Sequence, residues 1–125
     1  MALSCYKILG HWLHDKDKQI LYDWAKENHL WKQRIAMISC MHFVKQGEFK
    51  DALAIADLLQ HHPHDLIHKA VGWILREIGK EDEQLLVDYL TPRYKEMPRT
   101  MLRYAIERFE EGKRKAFLNS TIPAT

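Results

Sequence analysis

The chain has 125 residues, 46% hydrophobic and 29% charged, which is the size and balance of one globular domain and excludes a disordered segment. No apolar run reaches the roughly 20 residues needed to cross a bilayer, and the opening MALSCYKILGHW lacks the basic start and unbroken apolar core of a signal peptide, so a cytoplasmic location is expected. The formal net charge of +2 says nothing by itself about nucleic acid, and Cys5 and Cys40, in neither a CxxC motif nor a disulfide framework, read as reduced packing residues.

Only 5 glycines and 4 prolines punctuate the chain, and no strand alternation is sustained. Apolar residues recur at three- and four-residue steps, which predicts helices over 3–14, 17–28, 30–46, 49–61, 64–79, 82–95 and 98–110, with a short eighth near 112–118. Breaks fall at HDKDK, ENH, KQGE, HHPHD, GKED and EMP, and Gly47, Pro63, Gly79 and Pro98 stand where helices should stop or start. The expected fold is all-α, with short loops that make successive helices antiparallel neighbours.

Sliding the chain by 35 residues aligns Ile35 with Ala70 and Ala105, and Lys45 with Lys80 and Lys115. In the alternate helices Ile20, Ile55 and Leu90 align, as do Trp24, Leu59 and Tyr94. This suggests helix pairs stacked as a HEAT-like solenoid: one repeat domain over 1–118 and a tail over 119–125. Chance matching among amphipathic helices is the competing account. A solenoid matters for function because its concave face suits an extended partner such as a duplex or a peptide.

The helix over 64–79 carries the most informative pattern. At about 100° per residue, Ile67, Ala70, Val71, Ile74, Leu75 and Ile78 share one arc, which must be the core face. Lys69, Trp73, Arg76 and Lys80 fall on a separate stripe, and Gly72 beside them would permit close approach of a partner. Cations that hold phosphates and a ring that packs on sugar or base are what a sugar–phosphate backbone requires. The competing reading is a half-buried tryptophan at a helix seam with lysines snorkelling around it. Arg34, in LWKQRIAMISCMHFVKQG, interrupts apolar neighbours and is costly there unless it is paired or points into a groove. It lies one repeat and one turn before Trp73, so the two could line one groove from adjacent helices.

From Arg93 to Lys115 the chain is locally basic, with Arg93, Lys95, Arg99, Arg103, Arg108, Lys113, Arg114 and Lys115 against Glu96, Glu107, Glu110 and Glu111. A solvated helix face with pairs such as Arg103–Glu107 accounts for this as well as a binding surface does. His61, His62, His64 and His68 cluster, and His64 and His68 share a helix face, but no supporting glutamate or cysteine is placed for a metal, so exposed loop and helix-start histidines are the better reading. His11 and His42 read as helix histidines satisfied at interfaces. No nucleotide-binding or nucleophile motif is present.

The segments LWKQRIAMIS, DLIHKAVGWILREIGKED and MPRTMLRYAIERF resemble the DNA alkylation repair (AlkD-like) family of HEAT-like-repeat DNA glycosylases, most specifically from Asp65 to Glu77. The resemblance runs from about Leu3 to Phe117 and corresponds to the C-terminal half of a family member. It implies a solenoid that grips duplex DNA on a concave basic face and releases purines alkylated at N3 or N7 by hydrolysing the N-glycosidic bond, without inserting the lesion in a base pocket. By motif position Trp73 looks like an aromatic packed on deoxyribose, and Arg34 and Arg76 look like groove arginines that hold phosphate. In such chemistry a carboxylate beside the sugar stabilises oxocarbenium charge and orients water, and a ring face adds cation–π stabilisation.

The family's catalytic aspartate lies in a Trp-Asp-x-x-Asp-like segment just before the helix that resembles LSCYKILGHWL, whereas this chain begins Met1-Ala2 and Asp15 and Asp17 are poor substitutes. The expectation is therefore a DNA-binding portion of a repair protein, inactive alone, with Arg34, Lys69, Trp73, Arg76 and Lys80 on alkylated duplex. No catalytic residue, metal or cofactor is assigned, no membrane is involved, and self-association through an exposed N-terminal end is expected. The alternative is a non-catalytic helical-repeat scaffold that binds a protein or peptide.

Overall fold

The computed structural model describes residues 19–119. The expected first helix over 3–14 with Cys5 and His11, the aspartates Asp15 and Asp17, the N-terminal end expected to self-associate, and residues 120–125 lie outside them. The described residues form α1 (Gln19–Lys26), α2 (Leu30–Val44), α3 (Lys50–Leu59), α4 (Asp65–Glu81), α5 (Glu83–Leu90), α6 (Arg99–Ala105) and α7 (Glu111–Leu118), with no strand among them.

Local chemistry sets the boundaries. The α2 helix starts where the His29 ring accepts from the Lys32 amide at 3.3 Å. It stops at Gly47, whose φ of 80° places it in the left-handed region that glycine enters at low cost, with the Gly47 amide bonded back to Val44 and the Glu48 amide to Phe43. Asp82 serves two helices at once. Its amide closes α4 on the Ile78 carbonyl at 2.8 Å, and its carboxylate caps α5 by accepting from the Leu85 amide at 3.1 Å. The expected break at Gly79 is thereby displaced: α4 runs through Gly79 to Glu81. The α5 helix is shorter than its periodicity predicts, ending at Leu90, because Pro92 has no amide to continue the ladder and the Thr91 hydroxyl donates back to the Val87 carbonyl at 2.7 Å.

The helices stack in two layers. The α2, α4 and α6 helices pack in succession, α4 lying between the other two, while α1 and α3 pack on α2 and on each other, and α5 packs on α4. This is an all-helical repeat solenoid, and its succession of α2, α4 and α6 matches the 35-residue period. Ala70 and Ala105 are both buried, as are Ile55 and Leu90, whereas Ile35, aligned with the two alanines, is only partly buried. The period fails at Lys115, because α6 ends at Ala105 and Lys115 belongs to α7.

The core runs between the layers. Phe43, Met37 and Met41 from α2, Ile55 and Leu59 from α3, Ile67, Ile74, Leu75 and Ile78 from α4, and Phe117 from α7 are all fully buried. Each such side chain contributes about 1.5–3 kcal/mol, against 0–1 kcal/mol for a typical exposed ion pair. Apolar packing therefore fixes the positions of α2 and α4, and surface charge is free for other work. Cys40 is buried with its thiol toward the Ala36 carbonyl at 3.4 Å, a packing residue as expected. Two polar links run along the layer of α1, α3 and α5: Tyr22 of α1 donates to Asp51 of α3 at 2.5 Å, and Arg93, just after α5, donates to Asp57 of α3 at 3.1 Å while lying over the Tyr89 ring.

Candidate nucleic-acid interface

The α4 helix buries Ile67, Ala70, Val71, Ile74, Leu75 and Ile78, so its core face is the arc that the period predicts. The stripe of Lys69, Trp73, Arg76 and Lys80 is turned away from that arc. Lys69 and Lys80 are exposed, Arg76 is 24% exposed, and Trp73 is half-buried, its ring packed against the edge of the core. An indole in that position has one side anchored by packing and the other available.

The stripe is partly neutralised by its own chain. Lys69 reaches Asp65 at 3.2 Å, and Lys80 reaches Glu77 at 3.3 Å. Arg76 donates through Nη1 to Glu107 at 3.0 Å, whereas its Nε lies 3.6 Å from Glu77, beyond hydrogen-bond reach, and is buried without a partner. The expected Arg103–Glu107 pair does not form. The α6 helix stops before residue 107, so those two residues are not one helical turn apart, and Glu107 crosses to Arg76 instead.

Arg34 lies on α2, the helix packed beside α4. It has no carboxylate partner among the described residues. Its guanidinium lies 5.7 Å from the centroid of the Trp31 ring on the same helix, and its Nε is buried without a hydrogen bond. Trp31 is 58% exposed, a large aromatic presented to solvent beside an arginine. In the sequence Trp31 is one of the apolar neighbours that Arg34 interrupts. Its exposure was hidden because α2 is apolar on nearly every face, so no periodicity distinguishes the one turn that emerges from the core.

Gly72 does not open the surface to a partner, as its place beside the stripe suggested. A Cβ there would come within 2.5 Å of the Tyr104 Cβ and 2.8 Å of the Met101 carbonyl oxygen, so the missing side chain admits α6 itself. Half of the locally basic C-terminal stretch is also committed within the chain. Arg93 is held by Asp57, Arg99 donates to the Leu118 carbonyl, Lys113 is held by Glu83 and Lys115 by Glu111.

Among the described residues, no group of three or more His, Cys, Asp or Glu is placed to hold a metal ion. The clustered histidines serve local structure. The His64 ring caps α4 by accepting from the Leu66 amide, and His68 meets the His62 carbonyl. His62 meets the buried Gln33 side chain through Nε2 at 2.8 Å and accepts the His64 amide through Nδ1 at 3.0 Å, so both ring nitrogens are committed in the neutral form. Burial first, and then the neighbouring His64 and His68, hold its pKa below the usual histidine value. The unfolded chain therefore binds more protons than the folded one just below about pH 6.5. The stability from this contact is complete above that value and is lost as pH falls through the depressed folded pKa. Urea midpoints at successive pH values should fall on the acid side, and His62→Gln should flatten that part of the profile.

The fold and the stripe define a class: an all-helical repeat protein that presents arginine, lysine and tryptophan side chains from adjacent stacked helices. A family model described as DNA alkylation repair enzyme matches residues 3–109, and the chain belongs to that family. Neither curated proteins nor solved structures gave a match. No described helix is long and apolar enough to cross a membrane.

Proposed function

We propose that this chain is the DNA-binding portion of a DNA alkylation repair protein of the HEAT-like glycosylase kind, which acts on purines alkylated at N3 or N7. The reading is carried by one observation: Trp73 is half-buried at the edge of the core, with Lys69, Arg76 and Lys80 on the same stripe of α4. Family membership supports it, and so does Arg34 on the adjacent helix without a carboxylate partner. The ring packs on deoxyribose while the arginines hold phosphates on either side. The residues carried over by motif include no carboxylate beside Trp73, so this chain is expected to hold duplex without hydrolysing the glycosidic bond.

Duplex binding measured against salt tests this. Phosphate contacts predict that affinity falls steeply as salt rises, with a slope near −0.9 per phosphate neutralised. Arg76→Ala should weaken binding by about threefold to tenfold and make the slope shallower by about one phosphate, with the urea midpoint almost unchanged. The loss stays moderate because Arg76 must release Glu107 before it takes a phosphate. The same preparation should release no N7-methylguanine, and measurable release would overturn the assignment of inactivity. The alternative, a scaffold for a protein or peptide, draws support from the exposure of Trp31, Leu58 and Leu66. It predicts no salt-dependent duplex binding.

A further inference from the structure

A pocket of about 340 Å³ opens between α4, α5 and the turn that follows α6. Arg76, Lys80, Arg108 and Glu83 line it together with the apolar side chains of Leu86 and Phe109. Glu83 does not oppose an anion there on its own, because Lys113 holds its carboxylate at 2.8 Å. The Lys113 ammonium also lies 5.0 Å from the Phe109 ring, which keeps it at the same end of the pocket. Arg108 is exposed and has no carboxylate partner among the described residues. Of the charged side chains that line the pocket itself, Arg76, Lys80 and Arg108 are cations and Glu83 is a carboxylate.

The Arg76 guanidinium at this pocket is held in the free protein by the Glu107 carboxylate, 55% exposed and bonded to it through Nη1 across the gap between α4 and the turn after α6. An exposed pair of this kind contributes little and exchanges readily. A phosphate offers the same guanidinium a matching pair of oxygens and a third for a second cation, here Arg108 or Lys80. We infer that this pocket is a phosphate subsite of the nucleic-acid interface, with Glu107 standing in for the phosphate until a strand displaces it. The inference rests on the DNA-binding reading above and extends it to Arg108, which lies outside the α4 stripe. The phosphate is either an internal diester of a duplex or the monoester at a strand end. Both present the same oxygens to the same cations.

The two key residues should respond in opposite directions. Fluorescence anisotropy of a short labelled duplex at low salt should show Arg108→Ala weakening binding about threefold to tenfold, and Glu107→Gln tightening it by a similar factor. Arg93→Ala, which removes an arginine held by Asp57, should change nothing. Thermal unfolding by circular dichroism checks that each variant folds. A preference for a 5′-phosphorylated duplex over its 5′-hydroxyl counterpart, lost in Arg108→Ala, supports the terminal monoester as occupant. Equal affinity for the two ends, with the opposite effects retained, supports the internal diester. If Arg76→Ala weakens the duplex while Arg108→Ala and Glu107→Gln have no effect, the subsite is wrong and the α4 interface stands. If none of the three alters binding, both are wrong.

Discussion

Gly72→Ala should lower the unfolding free energy by about 2–3 kcal/mol, read from urea or thermal unfolding, although the same exchange in an unencumbered helix would raise it by roughly 1 kcal/mol. The difference lies in what the new methyl group meets. At Gly72 it would come within 2.8 Å of the Met101 carbonyl oxygen and 2.5 Å of the Tyr104 Cβ. Neither can rotate aside without moving α6, and α6 carries Met101, Leu102 and Ala105 into the core. Gly79→Ala supplies the contrast. Its methyl would meet the Leu86 Cδ2 at 2.6 Å, the far end of a flexible side chain that shifts at less cost than backbone. Gly79→Ala should therefore be near neutral or slightly stabilising. Equal stability of the two variants would show that α4 and α6 do not cross as closely as described here. Because Arg76 meets Glu107 just beyond the same crossing, Gly72→Ala should also disturb that pair and alter duplex affinity, whereas Gly79→Ala perturbs it less.

The same glycine marks the limit of what could be read from the chain. The arcs of α4 were legible because one period assigns every residue from Ile67 to Lys80 to a face, and burial follows that assignment. The layer of α2, α4 and α6 was legible because a 35-residue period repeats small or apolar residues at their seams. A period cannot reveal what lies across a seam, however. Gly72 looked like an opening because α6 is distant in sequence. The period sets Glu107 one turn from Arg103 on an uninterrupted helix, whereas the chain bends after Ala105 so that Ile106 and Phe109 can be buried. The candidate interface was legible as a set of residue types on one stripe. Its state of charge was not. Carboxylates partner Lys69, Arg76 and Lys80, and only the three-dimensional arrangement leaves Arg34 and Arg108 without them.

That contrast makes Arg34 the most consequential side chain on the surface. Its guanidinium sits over the exposed Trp31 ring and its Nε is buried without a partner, an arrangement unfavourable to folding unless something outside the chain completes it. Arg34→Met keeps an unbranched, flexible side chain while removing the unsatisfied group. It should raise the unfolding free energy by about 1 kcal/mol. The same change should weaken duplex binding by roughly tenfold to a hundredfold, the equivalent of one charge-assisted phosphate contact at about 1.5–3 kcal/mol. This loss should exceed that of Arg76→Ala, because Arg34 surrenders no carboxylate when it takes a phosphate. Arg34→Lys keeps the charge but loses the planar stacking on Trp31 and the forked donors, and should fall between wild type and Arg34→Met in affinity. A residue kept for packing alone would show the reverse: Arg34→Met would be no more stable than wild type, and duplex affinity would be unchanged. A gain in stability joined to a loss of binding is the signature of a side chain held in an unfavourable place for the sake of a ligand.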